Sequence, residues 1–211
     1  MATRTPGLVL GDDGTTRCWW SAGSEEYRVY HDGEWGVPVF DDRRLFEKIS
    51  LEGFQAGLSW LIVLRKRPGL RKAFDGFDFK KLARSPKSRV ESLLRAPVMI
   101  RNRAKVASVL NNARRALELI DEEGSLARFL WRFEPPPAAR PRRLTQAALR
   151  KLTTCPEAQA LSKELKKRGW SFVGPTTLYA FMQGVGLVND HLEGCPVRPR
   201  IEKTRRALRR P

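Results

Sequence analysis

The sequence AQALSKELKKRGWSFVGPTTLYAFMQGV, residues 158–185, is the most informative part of this 211-residue chain. Apolar residues recur at helical spacing before and after a central break. They are Ala158, Leu161 and Leu165 on the first side and Leu178, Phe181, Met182 and Val185 on the second. In the break, Gly169 and Gly174 permit a tight turn, and Pro175 suits the first position of a second helix. The stretch therefore predicts two helices joined by a hairpin.

The same hairpin has features of a phosphate-binding turn. The amides at the start of its second helix lack partners within the helix, so they are free to hold a backbone phosphate. Basic side chains approach the turn from the first helix: Lys163, Lys166, Lys167 and Arg168. An ordinary helical hairpin with a solvated basic face explains this pattern equally well. Both interpretations stay open on this stretch alone.

Helical spacing of apolar residues continues through most of the chain. Leu45, Ile49 and Ala56 share one helix face after two aspartates that suit a helix cap. Between residues 103 and 122 an apolar stripe opposes a basic one. We find no internal repeat and no alternation typical of strands. The fold is therefore predicted to be all-α.

The domain organisation predicted from the sequence is simple. We expect one domain over residues 18–195, because the proline-rich break at 135–141 does not separate two self-sufficient halves. Residues 1–17 are predicted to be a flexible leader. Residues 196–211 form a basic tail in which seven lysines and arginines face only Glu202. We expect this tail to be disordered and to bind without specificity.

Charge indicates the kind of partner. The chain has 40 Lys and Arg against 23 Asp and Glu, a formal net charge of +17. This excess favours a polyanion, with nucleic acid ahead of a membrane surface, although a basic protein without such a partner has the same composition. We expect no membrane span and no secretory leader, since the apolar run at 7–11 is short. Three cysteines do not make a disulfide framework, so a cytoplasmic location is expected.

The two histidines of the chain each lie near a cysteine. Cys18 precedes His31 by thirteen positions, and His191 precedes Cys195 by four, so the second pair can share one helical face. Two thiolates and two imidazoles complete a tetrahedral zinc site with no open position for catalysis. Two buried thiols beside satisfied histidines are the alternative. We predict a structural Zn²⁺ that joins the N- and C-terminal segments.

Glu52 lies on the apolar stripe of its predicted helix, so its carboxylate points toward the interior and needs a partner. An internal salt bridge to an arginine and a contact with a ligand are equally compatible with the pattern. Tyr27, Tyr30, Trp35 and Trp60 lie in the same third of the chain. Such rings are usually core, but beside an inward carboxylate they also suit a pocket for a flat, electron-poor base.

Five stretches together resemble bacterial DNA-3-methyladenine glycosylase I, and the likeness covers roughly residues 18–195. They are HDGEWGVP at 31–38, LEGFQAGLSW at 51–60, IRNR at 100–103, KKRG with FVG at 166–169 and 172–174, and GLVNDH at 186–191. The resemblance implies a helix-hairpin-helix DNA glycosylase fold closed by a zinc ion.

The resemblance also implies roles for individual residues. Glu52 matches the carboxylate that recognises the base, and Leu58 matches the side chain that fills the gap left by an extruded nucleotide. The hairpin from Gly169 to Gly174 matches the element that grips phosphate. Aromatic pocket positions correspond to Tyr27, Tyr30 and Trp60. The metal ligands correspond to Cys18, His31, His191 and Cys195.

The activity implied is hydrolytic excision of N3-methyladenine from double-stranded alkylated DNA by a monomer. No lyase activity is expected, because Pro175, Thr176 and Thr177 stand where related bifunctional enzymes place a Schiff-base lysine. Asp190 is expected to be structural, either behind the metal ligands or as a helix cap. Two alternatives remain, a non-catalytic protein that binds DNA structure and a glycosylase of this fold for another alkylated base.

Overall fold

The computed structural model describes residues 6–141 and 143–211, and the chain is mostly helical, with 61% of it in helices. Two strands, β1 (Leu8–Leu10) and β2 (Thr16–Cys18), precede the helices. The helices are α1 (Glu25–Gly33), α2 (Asp42–Gln55), α3 (Trp60–Ala73), α4 (Phe79–Ala83), α5 (Arg89–Arg95), α6 (Arg103–Glu123), α7 (Leu126–Trp131), α8 (Gln146–Lys151), α9 (Pro156–Lys167), α10 (Pro175–Gly184) and α11 (Val197–Arg206). Short 3-10 turns lie at Trp19–Gly23, Asp75–Phe77 and Pro137–Ala139.

Side-chain caps fix where the principal helices begin. Ser24 accepts a hydrogen bond from the amide of Tyr27 at the start of α1, and Asp41 accepts one from Arg44 at the start of α2. Asn102 caps α6 in the same way. Each cap satisfies an amide that has no partner within its helix.

The main hydrophobic core lies between α2, α6 and the helices around them. Its largest fully buried rings include Phe46, Phe54, Phe74, Phe129 and Phe181. Two smaller clusters adjoin this core. One surrounds Cys18 and Cys195, and the other is formed by Tyr30, Trp35 and Leu64. Function-related residues therefore lie at the edge of the core, where the ends of the chain meet.

The all-α prediction needs one correction at the N-terminus. Residues 8–18, most of which the sequence assigned to a flexible leader, form an antiparallel hairpin in which Leu8 pairs with Cys18. The loop is closed by Arg17, whose guanidinium binds Asp13 and Asp32. Three-residue strands are too short for alternation to be visible in the sequence. Residues 1–5 lie outside the described part of the chain.

The prediction of a disordered tail is also wrong for most of residues 196–211, because α11 occupies Val197–Arg206. Val197 and Ile201 are buried against the cluster around Cys18 and Cys195. Arg205 binds Glu134, with a nitrogen–oxygen distance of 2.6 Å. Two apolar residues on one face therefore pack this helix against the rest of the protein. The sequence did not reveal this helix, because basic residues predominate in the segment.

The helices α9 and α10 are joined by a tight turn over residues 168–174, as the sequence predicted. Gly169 has φ +77°, and its amide bonds to the carbonyl of Lys166 while the amide of Trp170 bonds to that of Leu165. This pair of bonds is a Schellman ending, which favours glycine at the left-handed position. Gly174 and Pro175 then begin α10.

A side chain of α6 fixes the middle of this turn. Asn112 is buried, and its amide group both donates to the carbonyl of Ser171, at 2.9 Å, and accepts from the amide of Ser171, at 3.0 Å. Asn111 donates to the carbonyl of Gly169 at 2.8 Å. The turn is thus held against the long helix α6 from one side.

Within the described part of the chain, none of the helices combines the length and apolar composition that crossing a bilayer requires.

Candidate active site and metal centre

Cys18, His31, His191 and Cys195 meet at one buried point. Cys18 ends β2 and His31 lies in the last turn of α1, whereas His191 and Cys195 follow α10. Their ligand atoms all lie within 4.8 Å of one another. The structure therefore brings together the four residues that the sequence predicted to hold a metal ion.

Hydrogen-bond acceptors behind the two imidazole rings determine which nitrogens face inward. Nδ1 of His31 lies 2.7 Å from Oδ1 of Asp32, and Nε2 of His191 lies 2.9 Å from the carbonyl oxygen of Trp35. Because both partners accept, these outer nitrogens carry the ring protons. The inner nitrogens, Nε2 of His31 and Nδ1 of His191, then face each other as lone pairs only 3.1 Å apart. Two lone pairs that face each other at this distance can share a cation, either a proton or a metal ion.

The distances from the Cys195 sulfur to the two imidazole nitrogens fit a tetrahedral ion. Sγ of Cys195 lies 3.6 Å from Nε2 of His31 and 3.7 Å from Nδ1 of His191. In a tetrahedron with bonds of about 2.05 Å to nitrogen and 2.3 Å to sulfur, two nitrogens lie about 3.4 Å apart, and a nitrogen and a sulfur lie about 3.6 Å apart. The four residues could hold a metal ion.

A cavity of about 300 Å³ lies next to this cluster. Its aromatic wall consists of Trp19, Trp20, Tyr27, Tyr30, Trp35 and Trp60. Polar groups enter from α2 as Glu52 and Gln55 and from α10 as Gln183, and α8 contributes Leu149 and Arg150. A mostly aromatic cavity with a few polar groups is typical of a site for a flat organic ligand.

Glu52 is 4% exposed and is ion-paired, but its partner is a lysine of its own helix. Nζ of Lys48 lies 2.6 Å from Oε1 of Glu52. Among the described residues, no group donates a hydrogen bond to the other carboxylate oxygen, Oε2. The two possibilities left open by the sequence therefore coexist: one oxygen is in an internal salt bridge, and the residue also lines a cavity. An arginine was considered as the salt-bridge partner of Glu52, but the partner in the structure is Lys48.

The three aromatic residues predicted for the pocket all line the cavity. The ring centroids of Tyr30 and Trp60 lie 5.4 Å apart, and the planes are tilted by 54°. The hydroxyl of Tyr27 accepts from the amide of Leu61 at 3.1 Å, which ties α1 to the first turn of α3. Nε1 of Trp60 is buried with no acceptor among residues 6–141 and 143–211.

Trp35, grouped with these rings in the sequence, borders both the cavity and the metal cluster. Its ring centroid lies 4.7 Å from that of His191, at an interplanar angle of 71°. Trp20 was missed by the sequence prediction, although it packs against Tyr27, Tyr30 and His31. The indole of Trp20 thus connects the cavity wall to the metal ligands.

Leu58 lies in the short connection between α2 and α3 and is half-buried. Gly57 before it has φ +76°, and the ammonium of Lys105 donates to the carbonyl oxygens of Phe54 and Ala56. Lys105 is itself buried on α6. Lys105 therefore anchors the connection where it leaves α2. Leu58 lies two positions before Trp60, which lines the cavity.

Asp190 is buried in a polar network away from the metal ligands' ring nitrogens. It accepts from the hydroxyl of Tyr179 at 2.7 Å and from Nε2 of Gln183 at 2.8 Å, and it pairs with Arg140. The structural role expected for Asp190 stays a prediction, and its partners differ from those expected. The described contacts place it in neither a helix cap nor a bond to an imidazole.

Several residues of the site were not predicted. Lys48 had a detectable signal, since it precedes Glu52 by four positions on one helix face. Gln183 and Arg150 are distant in sequence from Glu52, and only tertiary packing brings them to the cavity. Asn112, which holds the turn between α9 and α10, gave no signal in the sequence.

Comparison with known proteins identifies the class. A family model described as methyladenine glycosylase matches residues 19–199. The chain therefore belongs to the methyladenine glycosylase family.

Curated relatives and solved structures agree with this family. The chain is 45% identical over 183 residues to the DNA-3-methyladenine glycosylase of Haemophilus influenzae, covering 86% of this chain and 97% of that protein. It is 45% identical over 184 residues to DNA-3-methyladenine glycosylase 1 of Escherichia coli, covering 85% and 95%. A crystal structure of 3-methyladenine DNA glycosylase I matches with a TM-score of 0.78 and 44% identity, over 85% and 98% of the two chains. The chain is thus an enzyme of this family.

A second solved structure bears on the ligand. The enzyme from Staphylococcus aureus, described in terms of its recognition of 3-methyladenine, matches with a TM-score of 0.78 and 32% identity, over 85% of this chain and 95% of that one.

Proposed function

We propose that this enzyme flips N3-methyladenine out of double-stranded DNA and hydrolyses its glycosidic bond, acting as a monomer in the cytoplasm without lyase activity. The observation that carries the proposal is the buried carboxylate at an aromatic cavity, with Oε2 of Glu52 left without a donor among the described residues. Relatives named for 3-methyladenine support the choice of base.

The proposed chemistry follows from the charge of the lesion. N3-methylation makes adenine a cation while it is attached to the sugar, so the base is already a good leaving group. The enzyme mainly selects and exposes it. Rings of Tyr30 and Trp60 stack with the flipped base, and Glu52 accepts from its donor edge, where low dielectric strengthens the contact. Water then displaces the base through an oxocarbenium-like transition state.

DNA binding in this proposal uses two elements. The turn from Gly169 to Gly174 acts as the hairpin of a helix-hairpin-helix motif, and the amides at the start of α10 hold a backbone phosphate. Its support is the Schellman ending at Gly169 and the absence of a side-chain cap on α10 among the described residues. Leu58 fills the space left by the extruded nucleotide.

The metal in this proposal is zinc with a structural role. Two cysteines and two histidines are a donor set that zinc prefers, and four protein ligands leave no position for water. When bound, zinc would stabilise the joined ends of the chain. Its ligands take no part in the chemistry at the base.

The direct test is incubation of the purified full-length protein with methylated duplex DNA, followed by chromatography of the released bases. We expect 3-methyladenine to be released and the DNA strand to stay intact. Release of 3-methylguanine instead would indicate the same fold with a different substrate. Tight binding to abasic DNA without any released base would support the non-catalytic alternative. Strand cleavage, with a protein–DNA adduct trapped by borohydride, would contradict the absence of lyase activity.

A further inference from the structure

Lys48 occupies an unusual place for a charged residue. Its ammonium lies 2.6 Å from Oε1 of Glu52 and donates to the hydroxyl of Tyr30 at 2.6 Å. It also lies over the indole of Trp60, 3.8 Å from the ring centroid. An ammonium has three N–H donors, so these three contacts saturate it. Each of its three partners is a residue that lines the cavity.

Two helices, α2 and α10, enclose the side chain of Lys48. Lys48 and Glu52 are four positions apart on α2, so they share one helix face. On the opposite side, α10 approaches with Gly184, where a Cβ atom would lie only 2.0 Å from Cε of Lys48. A side chain at position 184 would therefore displace the lysine. The Lys48 side chain is 11% exposed, so it is built into the protein behind the cavity wall.

We propose that Lys48 is a positioning residue that keeps Glu52 as a carboxylate, binds its Oε1 and leaves Oε2 as the carboxylate oxygen that can accept from a flipped base. This role rests on the proposed function, because Oε2 has a ligand only if a base enters the cavity. It further means that the base meets an ion pair of zero net charge. Recognition then depends on a hydrogen-bond donor at the base edge as well as on the positive charge of the base.

The electrostatic surroundings support this role. Burial raises the pKa of Glu52, and Lys48 opposes that rise. Other charges near the pair are Glu34 and Arg67, which neutralise each other through two hydrogen bonds of 2.6 and 2.7 Å. Lys105 of α6 is committed to the carbonyl oxygens at the end of α2.

Two further neighbours complete these surroundings. Tyr30 from α1 is uncharged at neutral pH, because burial raises its pKa. The residues of α10 next to the pair, Gln183 and Gly184, bring no charge. Lys48 is therefore the principal group that stabilises the charged form of Glu52.

The decisive experiment compares Lys48→Met with Lys48→Arg in the full-length protein. The carboxyl carbon of Glu52 is followed by NMR in ¹³C-glutamate-labelled protein and assigned through Glu52→Gln. In Lys48→Met we expect the titration of Glu52 to move up by one pH unit or more, which is about a tenfold shift in the proton-binding constant. In Lys48→Arg, which keeps a positive charge at this position, the titration of Glu52 should stay close to that of the wild type. Lys87→Met, which removes an exposed lysine from a loop, should leave it unchanged.

Excision kinetics provide the functional readout. The acid limb of the single-turnover rate of 3-methyladenine release should move to higher pH in Lys48→Met, by the same amount as the Glu52 titration. A uniform loss of rate at every pH, with an unmoved limb, would show a merely structural lysine and overturn the proposal. An unmoved Glu52 titration would overturn it as well. If wild-type protein releases no base, the proposed function fails, whereas the NMR titration still tests the Lys48–Glu52 coupling.

Binding of free bases tests the neutral-pair consequence. The probes are 3,9-dimethyladeninium, which carries a fixed positive charge, and 3-methyladenine at a pH where it is uncharged. In Lys48→Met, at a pH above the Glu52 titration, affinity for the cation should rise on the order of tenfold relative to the neutral base, because a repulsive charge has been removed. An unchanged ratio would contradict this part of the proposal.

Discussion

Nε2 of His31 and Nδ1 of His191 lie 3.1 Å apart, although 160 positions separate the two residues in the chain. Each ring donates its outer proton to an acceptor, so lone pairs meet at the centre of the cluster. The four residues could therefore hold a cation, and a cation bound there would join two distant segments of the chain.

Loss of one metal ligand should destabilise the protein strongly. Cys195→Ser replaces a thiolate with a poor zinc ligand, and we expect the melting temperature to fall by about 10 °C or more, since metal binding contributes to folding free energy. The matched control is Cys155→Ser, which makes the same substitution outside the cluster, at a residue that caps α9. Metal content and calorimetry check both variants. Equal melting temperatures, with no metal bound to the wild type, would contradict a metal staple.

Neutralising the cavity carboxylate should separate binding from excision. Glu52→Gln keeps the shape of the side chain but removes its charge, so we expect the rate of 3-methyladenine release to fall by about a hundredfold. Affinity for abasic DNA, which lacks the base, should change less than threefold. Glu91→Gln, at an exposed residue paired with Arg103, is the control and should retain the wild-type rate. An undiminished rate in Glu52→Gln would remove this carboxylate from the mechanism.

Loosening the turn between α9 and α10 should weaken DNA binding. Asn112→Ala removes both hydrogen bonds to Ser171 and leaves half-buried backbone groups without a protein partner, which costs about 1 kcal/mol of stability. We expect affinity for abasic duplex DNA to drop about tenfold, as measured by fluorescence anisotropy. Asn111→Ala loses a single bond to Gly169 and should have a smaller effect on both quantities. If both variants bind DNA like the wild type, the turn does not contact phosphate.

Acid should destabilise the protein through Glu34. Burial tends to raise the pKa of this carboxyl, but hydrogen bonds from Arg67 outweigh burial and leave the pKa below its usual 4.5. Because the folded-state pKa is depressed, the stabilisation is present above pH 4.5 and is lost as the pH falls through the folded value. Denaturant unfolding between pH 6 and pH 3 measures this effect. Glu34→Gln should have a flatter dependence, and a dependence as steep as that of the wild type would exclude Glu34 as a contributor.

The cluster of cysteines and histidines could be predicted because few alternatives existed, whereas the aromatic residues of the cavity were assigned through the family resemblance. With only two histidines and three cysteines in the chain, the ligand set was nearly determined by composition. The inward position of Glu52 followed from helical periodicity alone. The turn at Gly169 was predictable because glycine and proline mark helix ends.

Other features could not be predicted because they depend on contacts across the fold. The docking of α11 relies on Val197 and Ile201, two apolar residues within a strongly basic segment. The short β-hairpin forms where Arg17 binds two distant aspartates. Nothing in the local sequence around Leu149 or Arg150 indicates that α8 borders the cavity.

Trp20 contacts both Tyr30 of the cavity wall and His31 of the metal cluster. His191 of that cluster lies 160 positions beyond His31 in the chain, yet the two side chains meet. We therefore expect this wall to form late in folding, because closing so long a loop of chain costs entropy.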